Sequence, residues 1–223
     1  MAYGGSVATE TKAAGTAPGG RQQRRREQTR ARLIDAAKNL MAERGVESVG
    51  ISEITEAADL GAGTFYNYFQ SRDEIVEAVA EASIESVGAA LDRLTADMPD
   101  PAEVFAASLR HLVLRATTDP VWGWFIVRMG AAHPKLIEIL GPRAARDLRR
   151  GLDAGRFSIP DTDIATSCTF GSLISALHLV LSTDRPEGTD ELFARTMLAM
   201  VGVDAREAEE IAARPLPALH LEP

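Results

Sequence analysis

Apolar residues recur at three- and four-residue intervals along most of the chain, the spacing of helices that bury one face. Leu33, Ala37, Leu40 and Met41 mark the inner face of a first helix, and Gly45 ends it. Ile51, Ile54 and Ala58 mark a second, with Gly50 at its N-cap and Glu53 three residues on. Phe65 and Phe69 lie four apart on a third. Ser71 and Glu74 have the spacing of a capping box and open a fourth helix, whose inner face runs through Ile75, Val79 and Ala82 to about Leu94. Pro99 and Pro101 end it. Further helices are predicted over Pro101–Thr117, Val121–Met129, Pro134–Leu140, Pro142–Ala154, Asp161–Leu181, Thr189–Val201 and Asp204–Ala213. Asp204 and Glu207 repeat the capping-box spacing. No segment alternates with period two long enough for a strand, and no repeat of solenoid length is present. The predicted fold is all-α.

Charge changes this picture. The chain of 223 residues has a net charge of −8, which argues against a nucleic-acid partner until its distribution is considered. Between Arg21 and Arg44 eight basic residues face three acidic ones, a net of +5, so the rest carries −13. A basic head on an acidic body meets phosphates at one end and resists adsorption to DNA elsewhere. Residues 1–20 are rich in Gly, Ala, Ser and Thr, and read as a disordered tail. The run from Arg21 to Arg32 is either a solvated helix start or an arm for phosphates. Hydrophobic residues at 45% suffice for a core, and no segment looks like a membrane span or a secretory leader. The single cysteine, Cys168, excludes an intrachain disulfide and suits a cytoplasmic protein.

The stretch from Gly50 to Phe69 joins two short helices through a tight turn at Asp59-Leu60-Gly61. Such a unit sets its second helix in the major groove of DNA. That helix buries Phe65 and Phe69 and turns Thr64, Tyr66 and Asn67 outward, while Tyr68 lies at the edge. Packing against a neighbouring helix is the alternative for both tyrosines. Arg30 to Ile75 resembles the DNA-binding domain of the tetracycline-repressor (TetR) family. The resemblance rests on Ala42-Glu43-Arg44-Gly45, Ile54 and Ala58, Thr64-Phe65-Tyr66-Asn67-Tyr68-Phe69 and Ser71-Arg72-Asp73-Glu74-Ile75. It implies that Thr64 and Tyr68 face DNA, that Tyr66 and Arg72 hold phosphates and that Ser52 lies near the backbone. Gly63 and Asn67 complete the implied DNA-facing set, with Arg21, Arg24, Arg25 and Arg26 as a basic arm. Asp59 replaces the turn glycine usual in the family, and tolerates a left-handed backbone better than most residues. Gly61 and Gly63 offer no side chains, so base readout looks sparse and DNA shape or the arm takes a larger share.

The resemblance also implies a helical C-terminal domain that binds a small molecule and dimerises through long helices. The apolar segment Asp161–Leu181 is the best dimer candidate, with small residues at Cys168, Gly171, Ser172 and Ser175, and Met197 on its partner helix. A central core helix is the alternative. A ligand pocket is expected around Phe105, Leu109, Trp122, Trp124, Phe125 and Met129, with His111, His133 and His178 as polar handles. Plain aromatic core and structural histidines are the competing account. No G-x-S-x-G, P-loop or dinucleotide fingerprint is present. Cys168 reads as an inert small hydrophobe, and four scattered histidines suggest no metal site and no cofactor.

The expected organisation is a tail and basic arm over 1–26, a helix-turn-helix domain over 27–75, a ligand-binding and dimerisation domain over 76–214 and a loose end over 215–223. The expected function is a homodimeric regulator, a repressor released from an inverted repeat in double-stranded DNA by a small apolar or amphipathic effector. No membrane partner and no enzyme activity are expected. An architectural or constitutive DNA-binding protein without ligand is one rival, and an enzyme or transporter-like ligand carrier is the other.

Overall fold

The computed structural model describes residues 1, 18–131, 134–183 and 187–221, without the side chains of residues 18–21, 42 and 129. Residues 2–17 of the tail expected over 1–20, and His133, fall outside the described residues, as do the side chains of Arg21 and Met129. Among the described residues there are ten α-helices and no strand. They are α1 (Pro18–Arg44), α2 (Ile51–Ala57), α3 (Ala62–Phe65), α4 (Arg72–Thr95) and α5 (Pro101–Thr118), then α6 (Pro120–Met129), α7 (Pro134–Asp153), α8 (Thr162–Ser182), α9 (Thr189–Met200) and α10 (Ala205–Ala212). A 3-10 turn, Val46–Ser48, joins α1 to α2.

The starts follow local chemistry. Side-chain oxygens of Ser71, Asp100, Asp119, Asp161 and Asp204 accept backbone N–H groups that each helix leaves without a partner. Pro101 and Pro120 follow two of these caps at the position where a missing N–H is harmless. Glu207 does not complete a box with Asp204: its carboxylate is taken by Arg156 at 2.8 Å.

Helix α1 is longer than the sequence pattern indicated. It begins at Pro18, so residues 18–26 extend the helix instead of forming a separate arm. Helix α7 runs unbroken from Pro134 to Asp153, where Pro142 predicted a break. Proline removes one backbone donor and disturbs the turn before it. The guanidinium of Arg143 reaches back to the Ile139 carbonyl at 2.8 Å and supports that turn. The α3 helix is a single turn, although Phe69 N–H still bonds to Phe65 at 3.0 Å and keeps both rings on one inner face.

One core joins head and body. It starts with Leu33, Ile54, Phe65 and Phe69 and passes along α4 through Val79, Ile84 and Leu91 to Phe170, Leu173 and Leu177 of α8. A second core holds α9 and α10 against α5 through Phe105, Leu109, Met197, Leu198 and Ile211. Met197 was expected in a dimer seam, but it is buried inside this second core. By length and composition α8 is apolar enough to cross a membrane, contrary to the sequence reading; its inner face packs in the body.

Candidate DNA interface and effector cavity

The helix-turn-helix is held by a short set of contacts. Asp59 has φ of 52°, the one non-glycine among the described residues with positive φ. Leu60 N–H bonds to the Thr55 carbonyl at 2.9 Å and Asp59 N–H to that of Glu56 at 3.0 Å. These two bonds form a Schellman cap with aspartate in the left-handed place that glycine usually takes. Arg32 donates to the Ala58 carbonyl at 2.5 Å and lies 3.9 Å from the Asp59 carboxylate, tying α1 to the turn. Glu53 accepts the Gly50 N–H at 2.9 Å and Arg44 at 2.5 Å. The Gly50 bond first, with Arg44 behind it, holds the Glu53 carboxyl below its ordinary range.

The outward face carries Ser52, Gly63, Tyr66 and Asn67, all exposed. Tyr66 is 63% exposed, with its ring edge-on to Phe65. A Cβ at Gly63 would meet nothing within 4 Å, so this part of α3 is bare backbone. Thr64 and Tyr68 are half-buried. Tyr68 packs against the core and lies under the Arg26 guanidinium at 5.9 Å. Arg26 also reaches the Asn67 carbonyl at 3.5 Å, and Arg30 stacks over Phe69 at 5.2 Å. The basic extension of α1 therefore runs beside the recognition turn, with Arg24 and Arg25 in the same helical turn as Arg26.

Arg72 is placed differently from the expectation. Its Nε donates to the Val49 carbonyl at 2.9 Å and a terminal nitrogen to that of Val46. The side chain is 27% exposed, and it anchors the 3-10 turn to the start of α4.

In the body a cavity opens between α4, α5, α7 and α8. Leu91, Leu109, Leu112, Phe170 and Leu173 give it an apolar wall, and Asp92, Arg143 and Asp147 stand at its polar end. Arg143 Nε donates to Asp92 at 2.7 Å, and its terminal nitrogens to Glu85 at 2.7 and 3.1 Å. Arg146 donates to the other Asp92 oxygen at 2.8 Å and to Asp147 at 2.9 Å. Gly88 lets Arg143 cross α4: a Cβ there would lie 3.0 Å from the guanidinium. Burial raises the Asp92 carboxyl, but the bonds from Arg143 and Arg146 outweigh it and leave it below the ordinary range. Burial dominates at Asp147 and raises it. The cavity wall thus offers one carboxylate held ionised, one less so, and the Arg143 guanidinium bonded to the first.

Of the expected pocket residues, Phe105 and Leu109 line this cavity. Trp122 and Phe125 wall a separate recess against α1, and Trp124 stacks edge-on with His178 at 5.7 Å. Asp92, Arg143 and Asp147 escaped the sequence reading. Their one signal was charge on helix faces that also carry core leucines.

On α8, Ile164, Cys168, Ser175, His178 and Leu179 are exposed, and Gly171 has nothing within 4 Å of a Cβ position. These positions form one stripe. Ser172 is half-buried beside it. On α9, Leu192 and Met200 are exposed at 58% and 37%.

Residues 33–79 match the family described as bacterial regulatory proteins, tetR family, and residues 100–214 the tetracyclin repressor-like C-terminal domain. RolR, crystallised with the ligand resorcinol, is 59% identical; the match covers 89% of this chain and all of that one, with a TM-score of 0.77. SmeT, the repressor of the Stenotrophomonas maltophilia efflux pump SmeDEF, shares the fold at 22% identity and a TM-score of 0.68, over 84% of this chain and 97% of its own. An uncharacterized HTH-type transcriptional regulator of Mycobacterium tuberculosis is 31% identical over 103 residues, 46% of this chain. The chain spans about half the length of the curated relatives it matches first. Both halves of the chain thus match one family, and the protein belongs to the TetR family of helix-turn-helix transcriptional regulators.

Proposed function

We propose that this protein is a homodimeric repressor that leaves an inverted-repeat operator when a small dihydroxybenzene of the resorcinol type enters the α4–α5–α7–α8 cavity. The observation that carries the reading is the polar end formed by Asp92, Arg143 and Asp147 on an otherwise apolar chamber. A phenol hydroxyl donates to a carboxylate and accepts from a guanidinium, while the ring takes the leucine and phenylalanine wall. Two hydroxyls on one ring match the two carboxylates on the wall, Asp92 and Asp147, the first of them already bonded to Arg143. The 59% identity to RolR, seen with resorcinol, supports the same ligand class.

The cavity has a volume of about 70 Å³. That is below the roughly 150 Å³ of a cavity that takes up benzene, so a ring enters by moving side chains apart. Such movement reaches α4 through Leu91 and Asp92. Helix α4 begins at Arg72, beside the recognition turn, and a pivot of α4 would change the spacing of two recognition helices in a dimer. The α8 stripe, with Leu192 and Met200 of α9, is the dimer seam in this reading, and the protein works in the cytoplasm on double-stranded DNA. Ser52, Gly63, Thr64, Tyr66, Asn67 and Tyr68 face the groove, with the Arg24–Arg26 extension on the phosphates.

Calorimetric titration with resorcinol tests the ligand. Saturable binding to the parent, weakened strongly in Asp92→Asn, is expected. Equal binding by the two proteins would place the ligand elsewhere.

A further inference from the structure

Among the described residues, three buried side-chain polar atoms have no hydrogen-bond partner, and two of them belong to one stacked pair: Nε of Arg115 and Nε1 of Trp122. The Arg115 guanidinium lies 5.0 Å over the Trp122 ring, and Trp122 is 5% exposed. A buried donor left without a partner costs about 1–3 kcal/mol, so two at one spot ask for an acceptor.

Trp122 is also part of the wall of a recess of about 240 Å³. The recess lies between the head and the body: Lys38, Asn39 and Met41 come from α1, Val79 and Ser83 from α4, and Val121 and Phe125 from α6. It shares no residue with the Asp92–Arg143 cavity. Asp119 at its rim is already engaged, one oxygen by the Trp122 backbone N–H at 3.1 Å and the other by Arg115 at 3.3 Å. Lys38 is exposed and makes no ion pair among the described residues. The wall therefore offers an amide, a hydroxyl and an unpaired ammonium around apolar and aromatic side chains, with the indole N–H of Trp122 covered behind it. That set suits an anion carried on a flat ring. The volume exceeds the roughly 150 Å³ in which a single aromatic ring is accommodated.

We propose that this recess is a second effector site, which takes a small aromatic carboxylate. The ring packs between Met41, Val79 and Phe125 and the carboxylate pairs with Lys38, and it accepts from Trp122 Nε1 once the side chains that cover that atom move apart. A ligand here touches both α1 and α6. It fixes the angle between head and body, and so the operator affinity, by a route independent of the inner cavity.

The test uses the full chain labelled with ¹⁵N-tryptophan and benzoate as the probe. The chain has two tryptophans, so two indole N–H resonances are expected, and the Trp124→Phe variant assigns them. Benzoate should move the Trp122 resonance downfield and saturably, with a Kd of about 1 mM or tighter. Lys38→Gln, an exposed change that leaves the core intact, should weaken benzoate about tenfold, roughly 1.4 kcal/mol, and leave neutral benzamide unaffected. Asp92→Asn should leave benzoate binding unchanged, and saturating resorcinol should not compete. A Trp122 indole that does not respond to benzoate overturns the proposal. So does a response insensitive to Lys38→Gln, or one abolished by Asp92→Asn or by resorcinol, which would assign benzoate to the inner cavity.

Discussion

Arg143 of α7 and Asp92 of α4, 51 positions apart in sequence, meet at 2.7 Å on the wall of the body cavity. Through this contact the polar end of the cavity is also a joint between two helices. A ligand that donates to Asp92 acts on α4 directly, one that accepts from Arg143 acts on it through this contact, and α4 carries the change towards the head.

Asp92→Asn removes the charge that two arginines share. Resorcinol affinity is expected to fall at least tenfold, since a neutral amide accepts a phenol proton less well than an ionised carboxylate. The far-UV spectrum should remain helical, because Arg143 keeps its Glu85 contact. Calorimetry beside a thermal melt checks both.

Arg72→Ala affects folding as well as DNA binding, contrary to the surface role the sequence suggested. It frees the Val46 and Val49 carbonyls that the guanidinium covers. A loss of about 1–3 kcal/mol is expected from charge-assisted bonds in a part-buried setting. Tyr66→Phe, at an exposed position, should leave stability unchanged and weaken specific and random DNA about equally. Denaturant midpoints measured with DNA affinity separate the two; an Arg72→Ala midpoint equal to that of the parent would contradict the anchoring role.

His111 gives a pH dependence. It is buried on α5, and burial pushes its pKa below the ordinary 6.5, against a backbone hydrogen bond at Pro217 that raises it. The unfolded chain takes up a proton near pH 6.5 while the folded one resists, so this contribution to stability is complete above that value and lost as pH falls below it. The Tm should drop between about pH 7.5 and about pH 5.5, and His111→Gln should flatten that part of the curve. Equal slopes for the two proteins would contradict it.

Gly171→Glu sets a carboxylate in the exposed α8 stripe, in open space within one chain. The protomer should fold normally. The pair should separate, because the charge would be buried without a partner between two copies. Sedimentation velocity should show a monomer with lost operator binding; an intact dimer would move the seam off α8.

Local chemistry was the part of the fold most visible in the sequence. Ser71, Asp100-Pro101, Asp119-Pro120 and Asp161 announce helix starts because each acts on backbone groups only a few residues away. Asp59 could be assigned its left-handed turn from its backbone preference alone. Long-range relationships were hidden. Pro142 predicted a break that the Arg143 side chain bridges. Asp92, Arg143 and Asp147 were not singled out, because nothing local says that α4 and α7 face each other. Trp122, Trp124 and Phe125 attracted the pocket assignment by type, yet none of the three lines the Asp92 cavity. Met197 lies on the periodic apolar face of α9, and periodicity does not say whether that face meets its own core or a second copy.

The measurement that bears most directly on the repressor reading is operator affinity, by fluorescence anisotropy, across a resorcinol titration for the parent and Asp92→Asn. Resorcinol should weaken operator binding by the parent about 5- to 150-fold and leave Asp92→Asn bound. Bound operator should weaken resorcinol by the same factor. Resorcinol that binds the parent with equal affinity in the presence and absence of operator would contradict the account.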